Sequence, residues 1–145
     1  MIKMSIDPGI SGAMCLNIDG KIVCHNCPDT QAEMADLVLE YKNLSIMNDC
    51  PIVGTIELVH SMTKQGVKST WTFSANYASW QMALICNKIP FTEIRPKEWQ
   101  KRLGGCPKDK KERKNYIKDK MQKAYPQLKV TLKNADALAM LWLMR

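Results

Sequence analysis

Residues 2–25 read Ile2-Lys-Met-Ser-Ile-Asp-Pro-Gly-Ile-Ser-Gly-Ala-Met-Cys-Leu-Asn-Ile-Asp-Gly-Lys-Ile-Val-Cys-His25, and three strands are written in them. Ile2 to Asp7 alternates weakly in polarity and stops at Pro8-Gly9, a turn dipeptide. Ala13 to Ile18 is a second apolar run. Asp19-Gly20 then supplies a strong hairpin signal, because both residues tolerate the positive φ of a tight turn. Lys21 to His25 follows as the returning strand. An antiparallel meander opens the chain.

Beyond it, the period changes from two to 3.6. Thr30-Gln-Ala-Glu33 is a capping box, and Met34, Leu37, Val38 and Tyr41 fall at helical spacing, predicting a helix to about Asn43. Ile52 to Val59, broken only by Gly54 and Glu57, is a fourth strand, and the polar stretch from His60 to Thr70 reads as a loop. Phe73, Tyr77, Trp80 and Leu84 mark a helix whose aromatic face suits core packing. Phe91 to Ile94 is a fifth short strand, and Arg95-Pro96 opens a short helix through Arg102. After Gly104-Gly105, a charged helix runs from Lys108 to Ala124 with Ile117, Met121 and Ala124 as its apolar stripe. Ala135 to Met144 is apolar nearly all round, as a deeply packed final helix would be. A meander followed by βα units predicts an α/β fold, a five-stranded mixed sheet with helices on both faces, in one domain over 1–145.

The composition is that of a globular chain: 46% apolar and 24% charged over 145 residues exclude disordered and fibrous architectures. The net charge of +7 is unevenly spread. Residues 1–60 hold 3 basic and 8 acidic side chains, whereas residues 61–145 hold 18 basic and 6 acidic ones. A basic half favours a polyanionic partner. No apolar run is long enough for a membrane helix or a secretory signal, so no membrane partner is expected. The six cysteines are scattered without a repeating spacing and are expected to be reduced thiols in a cytoplasmic protein. Cys24-His-Asn-Cys27 has zinc-like spacing but lacks a second ligand pair.

Three acids stand in odd places. Asp7 ends a buried-looking strand, Glu57 interrupts an apolar one, and Asp136 opens an apolar helix. Each has an ordinary reading: a solvated strand end, an edge position, a charge favoured at a helix start. Taken together, three carboxylates among apolar residues call for compensation. Mg²⁺ suits them, since it takes oxygen ligands from one or two carboxylates, keeps several waters and binds phosphate oxygens.

These residues also carry a family resemblance. Ile6-Asp-Pro-Gly-Ile-Ser-Gly-Ala13 resembles the first-strand motif of the RuvC-like Holliday junction resolvases of the RNase H-like superfamily. Ile56-Glu-Leu-Val-His-Ser-Met62 with Gln65-Gly-Val67 is similar to the second catalytic strand and adjoining loop of phage-type members, and Ala135-Asp-Ala-Leu-Ala139 to their last-helix motif. The resemblance implies an RNase H-like fold and a homodimeric, Mg²⁺-dependent endonuclease that cuts branched DNA such as a four-way junction. It matches Asp7, Glu57 and Asp136 to the family's catalytic, metal-holding carboxylates, with two Mg²⁺ per site and Mn²⁺ able to substitute.

The match departs at two places. One helical turn before Asp136, where bacterial relatives carry an acid or His, this chain has Lys133. A protonated lysine cannot ligate a metal, so either the second metal is held weakly, or Lys133 places its charge beside the scissile phosphate, or it is a surface residue. Three residues after Glu57, where some relatives carry an aromatic wedge, stands His60, which could stack on a base, lie near the metals or be exposed. Trp71 and Phe73 are further candidate stackers, although their spacing suits core or dimer packing. The expected DNA-contacting set is Lys64, Gln65, Lys68, Lys97, Lys101, Arg102, Lys108, Lys110, Lys111, Arg113 and Lys114, since cations in this density give phosphate contacts without sequence information. A nuclease for RNA–DNA hybrids or forks and a non-catalytic branched-DNA module remain open. A sugar kinase or actin-like ATPase, which also carries an IDxG-type motif, would need two large lobes.

Overall fold

A computed structural model describes residues 1–58 and 66–144. Its strands are β1 (Ile2–Asp7), β2 (Ala13–Ile18), β3 (Lys21–Asn26), β4 (Ile52–Glu57) and β5 (Phe91–Ile94). The helices are α1 (Gln31–Met47), α2 (Val67–Cys86), α3 (Pro96–Leu103), α4 (Lys110–Ala124) and α5 (Ala135–Leu143). The strands form one mixed sheet in the order β3-β2-β1-β4-β5. β1, β2 and β3 pair antiparallel as the meander predicts, while β4 joins β1 in parallel and β5 joins β4 in parallel. The expected α/β architecture is the observed one.

Alternation along β1 divides the core. Ile2, Met4 and Ile6 point to one face and are buried with Met14, Leu16, Trp80 and Leu84 beneath α1 and α2. Lys3, Ser5 and Asp7 point to the opposite face, under α5. There the Ser5 hydroxyl donates to the Ala137 carbonyl at 2.7 Å and the Lys3 ammonium to the Met144 carbonyl at 2.7 Å. These two bonds fix the direction of α5. Its C-terminal end lies over Lys3 and its N-terminal end, with Asp136, lies toward Asp7. Ala135, Ala137 and Ala139 are buried against the sheet, small enough to bring the helix that close.

Several boundaries differ from the sequence reading for identifiable reasons. α1 runs to Met47, beyond Asn43, because half-buried Leu44 packs on the core and the Ser45 hydroxyl ties the helix end to the Cys50 carbonyl. α2 begins at Val67, so residues 67–70, read as loop from their polarity, are a solvated first helical turn. The strand expected to reach Val59 is assigned to Glu57, with the Leu58 amide still bonded to the Ile94 carbonyl, and Val59 lies outside the described residues.

The cysteine expectation needs correction. Cys15 and Cys24 are directly opposed in the β2–β3 register with Cα atoms 4.2 Å apart, and the structure joins them as a disulfide. Cross-strand register places them together, which a search for repeating spacings does not detect. Cys27, Cys50, Cys86 and Cys106 are free thiols.

Candidate active site

The site grows from two neighbouring strand ends. Ile6 and Ile56 are paired across the parallel β1–β4 ladder, so Asp7 and Glu57, one residue further on each strand, stand side by side. Both point away from the Ile6–Ile56 face and toward α5. Asp136, on the first turn of α5, completes the set. All three acids line one cleft of about 620 Å³ at the carboxyl ends of the parallel strands. That is where α/β sheets place ligands, since the loops leaving the strands diverge there.

The turn after Asp7 is built to keep this cleft open. Gly12 sits so close to the strand end that a Cβ there would stand 2.0 Å from the Asp7 carbonyl oxygen. Gly9 has a φ of +119°, a conformation that favours glycine, and a Cβ would press on the Phe73 ring. Buried Asn76 of α2 holds the turn: its side-chain oxygen accepts from the Gly9 amide at 2.7 Å and its amide donates to the Cys27 sulfur at 3.1 Å.

Burial dominates the electrostatics. It pushes the Asp7 carboxyl well above the usual carboxylate range, and the neighbouring charges of Glu57 and Asp136 push it further. Glu57 is raised to about 7, chiefly by burial and secondarily by Asp136, against the bond it accepts from Trp99. Asp136 is raised by burial as well. Lys114 of α4 acts in the opposite sense on all three acids, and Arg113 does so on Asp136. The cleft thus holds carboxylates that repel one another beneath a cationic rim.

That donor set, all carboxylate oxygen, fits a hard divalent cation. Among the described residues no three His, Cys, Asp or Glu side chains are already gathered as a metal cluster. Mg²⁺ does not require one, because one or two carboxylates with waters and phosphate oxygens suffice. Cys24 is committed to Cys15, which leaves the Cys24–Cys27 spacing without its first zinc ligand.

Around the acids, Lys68, Lys110 and Lys114 line the same cleft with Ser11, Ser69 and Thr72. Lys97, Lys101, Arg102, Lys108 and Lys111 are exposed outside it. Two cations of the expected DNA set have structural partners: Arg113 donates to the Pro107 and Lys108 carbonyls, and Arg102 to the Leu143 carbonyl. Among the described residues no Lys or Arg side chain is ion-paired with a carboxylate, and Lys114 feels the three acids without a direct ion pair. Lys133 is exposed and lines a separate groove with His25, Asp29, Glu33, Asp36 and Glu40, away from the three acids. His60, Lys64 and Gln65 lie outside the described residues. Trp71 is 77% exposed, which removes the core-packing reading, whereas Phe73 is half-buried in the cleft wall.

Trp99, Asn76 and the inward position of Lys114 are additions that sequence reasoning missed. Trp99 and Leu103 follow helical spacing and read as core; nothing local shows that an indole N–H faces Glu57.

Fold and site together describe an α/β protein with an acidic cleft at the ends of parallel strands, overhung by a basic helix. No protein-family model matches the chain. No curated protein matches its sequence. Its fold is that of RuvC. The T. thermophilus RuvC in complex with Holliday junction substrate superposes with a TM-score of 0.57 at 14% identity, covering 97% of this chain and 90% of that one. Another Thermus thermophilus RuvC structure gives 0.52 at 15% identity, over 97% and 91%. The yeast mitochondrial Holliday junction resolvase Ydc2 gives 0.42 at 19% identity, over 97% and 74%.

Proposed function

We propose that this chain is a Mg²⁺-dependent, structure-specific endonuclease that cuts Holliday junctions or related branched DNA, acting as a homodimer. The observation that carries the reading is the convergence of Asp7, Glu57 and Asp136 from β1, β4 and α5 on one cleft rimmed by Lys68, Lys110 and Lys114. The RuvC fold, solved elsewhere with a Holliday junction substrate, supports the choice of nucleic acid.

In this reading the three carboxylates hold two Mg²⁺, which Mn²⁺ can replace. The ions, when bound, lower the pKa of a water and stabilise the departing oxygen of the phosphodiester. The protein residues do the rest. The carboxylates face a common space and are ionised once cations offset their repulsion. Lys110 and Lys114 draw the phosphate backbone over the acids, and Lys68 and the α2 N-terminus attract it from the other wall. Ile10 and Leu132, both exposed at the cleft mouth, offer apolar surface to a sugar or base.

A homodimer would supply two such clefts for paired cuts. α2 offers the dimer face: no charged residue occurs from Ser69 to Asn87, and Trp71, Ala78, Met82 and Ile85 form an exposed stripe at near-heptad spacing. In a chain with 24% charged residues, such a face suits a second copy of itself about a twofold axis.

The test is incubation with Mg²⁺ and labelled four-way junction, Y-fork, RNA–DNA hybrid and linear duplex. Paired symmetric nicks in the four-way junction are expected. Cutting of the hybrid alone would move the substrate to RNA–DNA, and junction binding with no cleavage at any Mg²⁺ or Mn²⁺ concentration would make the chain a binding module.

A further inference from the structure

Glu57 differs from its two partners in being tethered. The indole Nε1–H of Trp99 donates to Glu57 Oε2 at 2.6 Å, whereas among the described residues no hydrogen bond reaches the Asp7 or Asp136 carboxylate. Trp99 is fully buried. It belongs to the buried cluster that contains Ala13, Leu103, Ile117 and Leu138, and on α3, which opens with Pro96, it shares the buried face with Leu103. A fully buried ring in a close-packed interior is held in one orientation, so its N–H stays aimed at Glu57. An indole N–H is a donor with no acceptor capacity, so its only polar use here is to hold a carboxylate oxygen. A leucine or phenylalanine would serve the packing alone. A free glutamate loses rotamer freedom when it binds a cation, and a rigid donor removes that loss beforehand.

We infer that Trp99 is a positioning residue that fixes Glu57 through Oε2 and so leaves Oε1 as the oxygen offered to the cleft, a role that rests on the reading of this cleft as a nuclease site. The same donor favours the ionised carboxylate, the form that a cation needs. Through Trp99, the orientation of Glu57 is tied to α3, whose outer face carries Lys97 and Lys101.

The test replaces Trp99 with benzothienylalanine, which keeps the shape of the side chain and exchanges the N–H for sulfur. Trp99→Phe serves as a second, fully genetic variant, and its missing signal assigns the Trp99 indole proton in the NMR spectrum. Three readouts are needed: that proton's shift in the metal-free protein with and without Glu57→Gln, Mn²⁺ affinity by calorimetry without DNA, and cleavage alongside junction binding in Ca²⁺. The indole proton is expected downfield and to move upfield with Glu57→Gln. Removing the N–H is expected to weaken Mn²⁺ binding and slow cleavage about 10-fold, the worth of one hydrogen bond to a charged group, with junction affinity unchanged. An indole proton indifferent to Glu57→Gln, or an isostere that binds Mn²⁺ and cuts at the wild-type level, would overturn the inference. Should the wild-type protein neither take up Mn²⁺ nor cut, the nuclease reading falls, and the indole shift alone decides whether Trp99 tethers Glu57.

Discussion

At the scale of single residues, the three acids are costly to the fold before they are useful to it. Asp7 is half-buried beside two other carboxylates, and Lys114 only partly offsets them. Asp7→Asn should remove that repulsion and raise the melting temperature of the metal-free protein by about 2–4 °C per kcal/mol relieved, while abolishing detectable cleavage. Calorimetric melting and a junction assay check the two halves together; an unchanged cleavage rate would remove Asp7 from the site.

The pH dependence follows from the same burial. Below the ordinary carboxylate range, the folded and unfolded chains both hold these protons. As pH rises toward 7, the unfolded chain releases protons that the fold retains at Glu57, held near 7, and at Asp7 and Asp136, also raised. Folding stability contributed by these groups therefore falls with rising pH and levels off once they ionise in the fold as well. Metal-free protein should melt lower at pH 8 than at pH 5. Added Mg²⁺ should raise the melting point more at pH 8, where the ligands bind without first losing protons. Equal stabilisation by Mg²⁺ at both values would contradict carboxylate ligation.

At the scale of elements, α4 and α2 divide the work. The apolar stripe of α4 buries Ile117 and Met121, which turns Lys110 and Lys114 to the cleft and leaves Lys111 exposed. Lys120 is spent on the Leu103 carbonyl at 2.6 Å and on the Tyr116 ring, anchoring α4 to the end of α3. Lys110→Ala with Lys114→Ala should therefore weaken junction binding and lower its logarithmic salt slope by about 1 for each phosphate no longer neutralised, and Lys120→Ala should lower stability more than the slope. Binding titrations at several salt concentrations distinguish them. On α2, Ala78→Arg should abolish the proposed dimer, read by sedimentation against the wild type, without unfolding the chain, because Ala78 is exposed while the core side of the helix carries Trp80 and Leu84.

Elements were legible where the polarity pattern reports burial. The meander, the start of the capped first helix and the final apolar helix follow the pattern closely, and each of the three acids was visible because it broke such a pattern. The first turn of α2 was hidden because a solvated helical turn and a polar loop have the same composition. The Cys15–Cys24 link was hidden because register across a hairpin, not spacing along the chain, brings the sulfurs together. Trp99 and Asn76 were hidden for a related reason. Their polar atoms matter only through partners 42 and 67 residues away in sequence.

At the scale of the whole molecule, the net charge of +7 conceals a division of labour. The acidic half forms the meander and β4 and supplies Asp7 and Glu57; the basic half supplies Asp136 and the helix that overhangs them. A second acidic surface, the groove with Asp29, Glu33, Asp36 and Glu40, lies on the far side of Ile10 from the lysines. Apart from Lys133 its charged lining is acidic, so in the proposed reading it disfavours phosphate there and leaves the α4 side to the DNA. The most direct measurement is strand cleavage of a labelled four-way junction in Mg²⁺ by the wild-type chain and by Asp7→Asn, Glu57→Gln and Asp136→Asn, with junction binding recorded in parallel. The account predicts paired symmetric nicks by the wild type and none by any variant, with all four binding the junction. Cutting that survives any one of the three substitutions would contradict it.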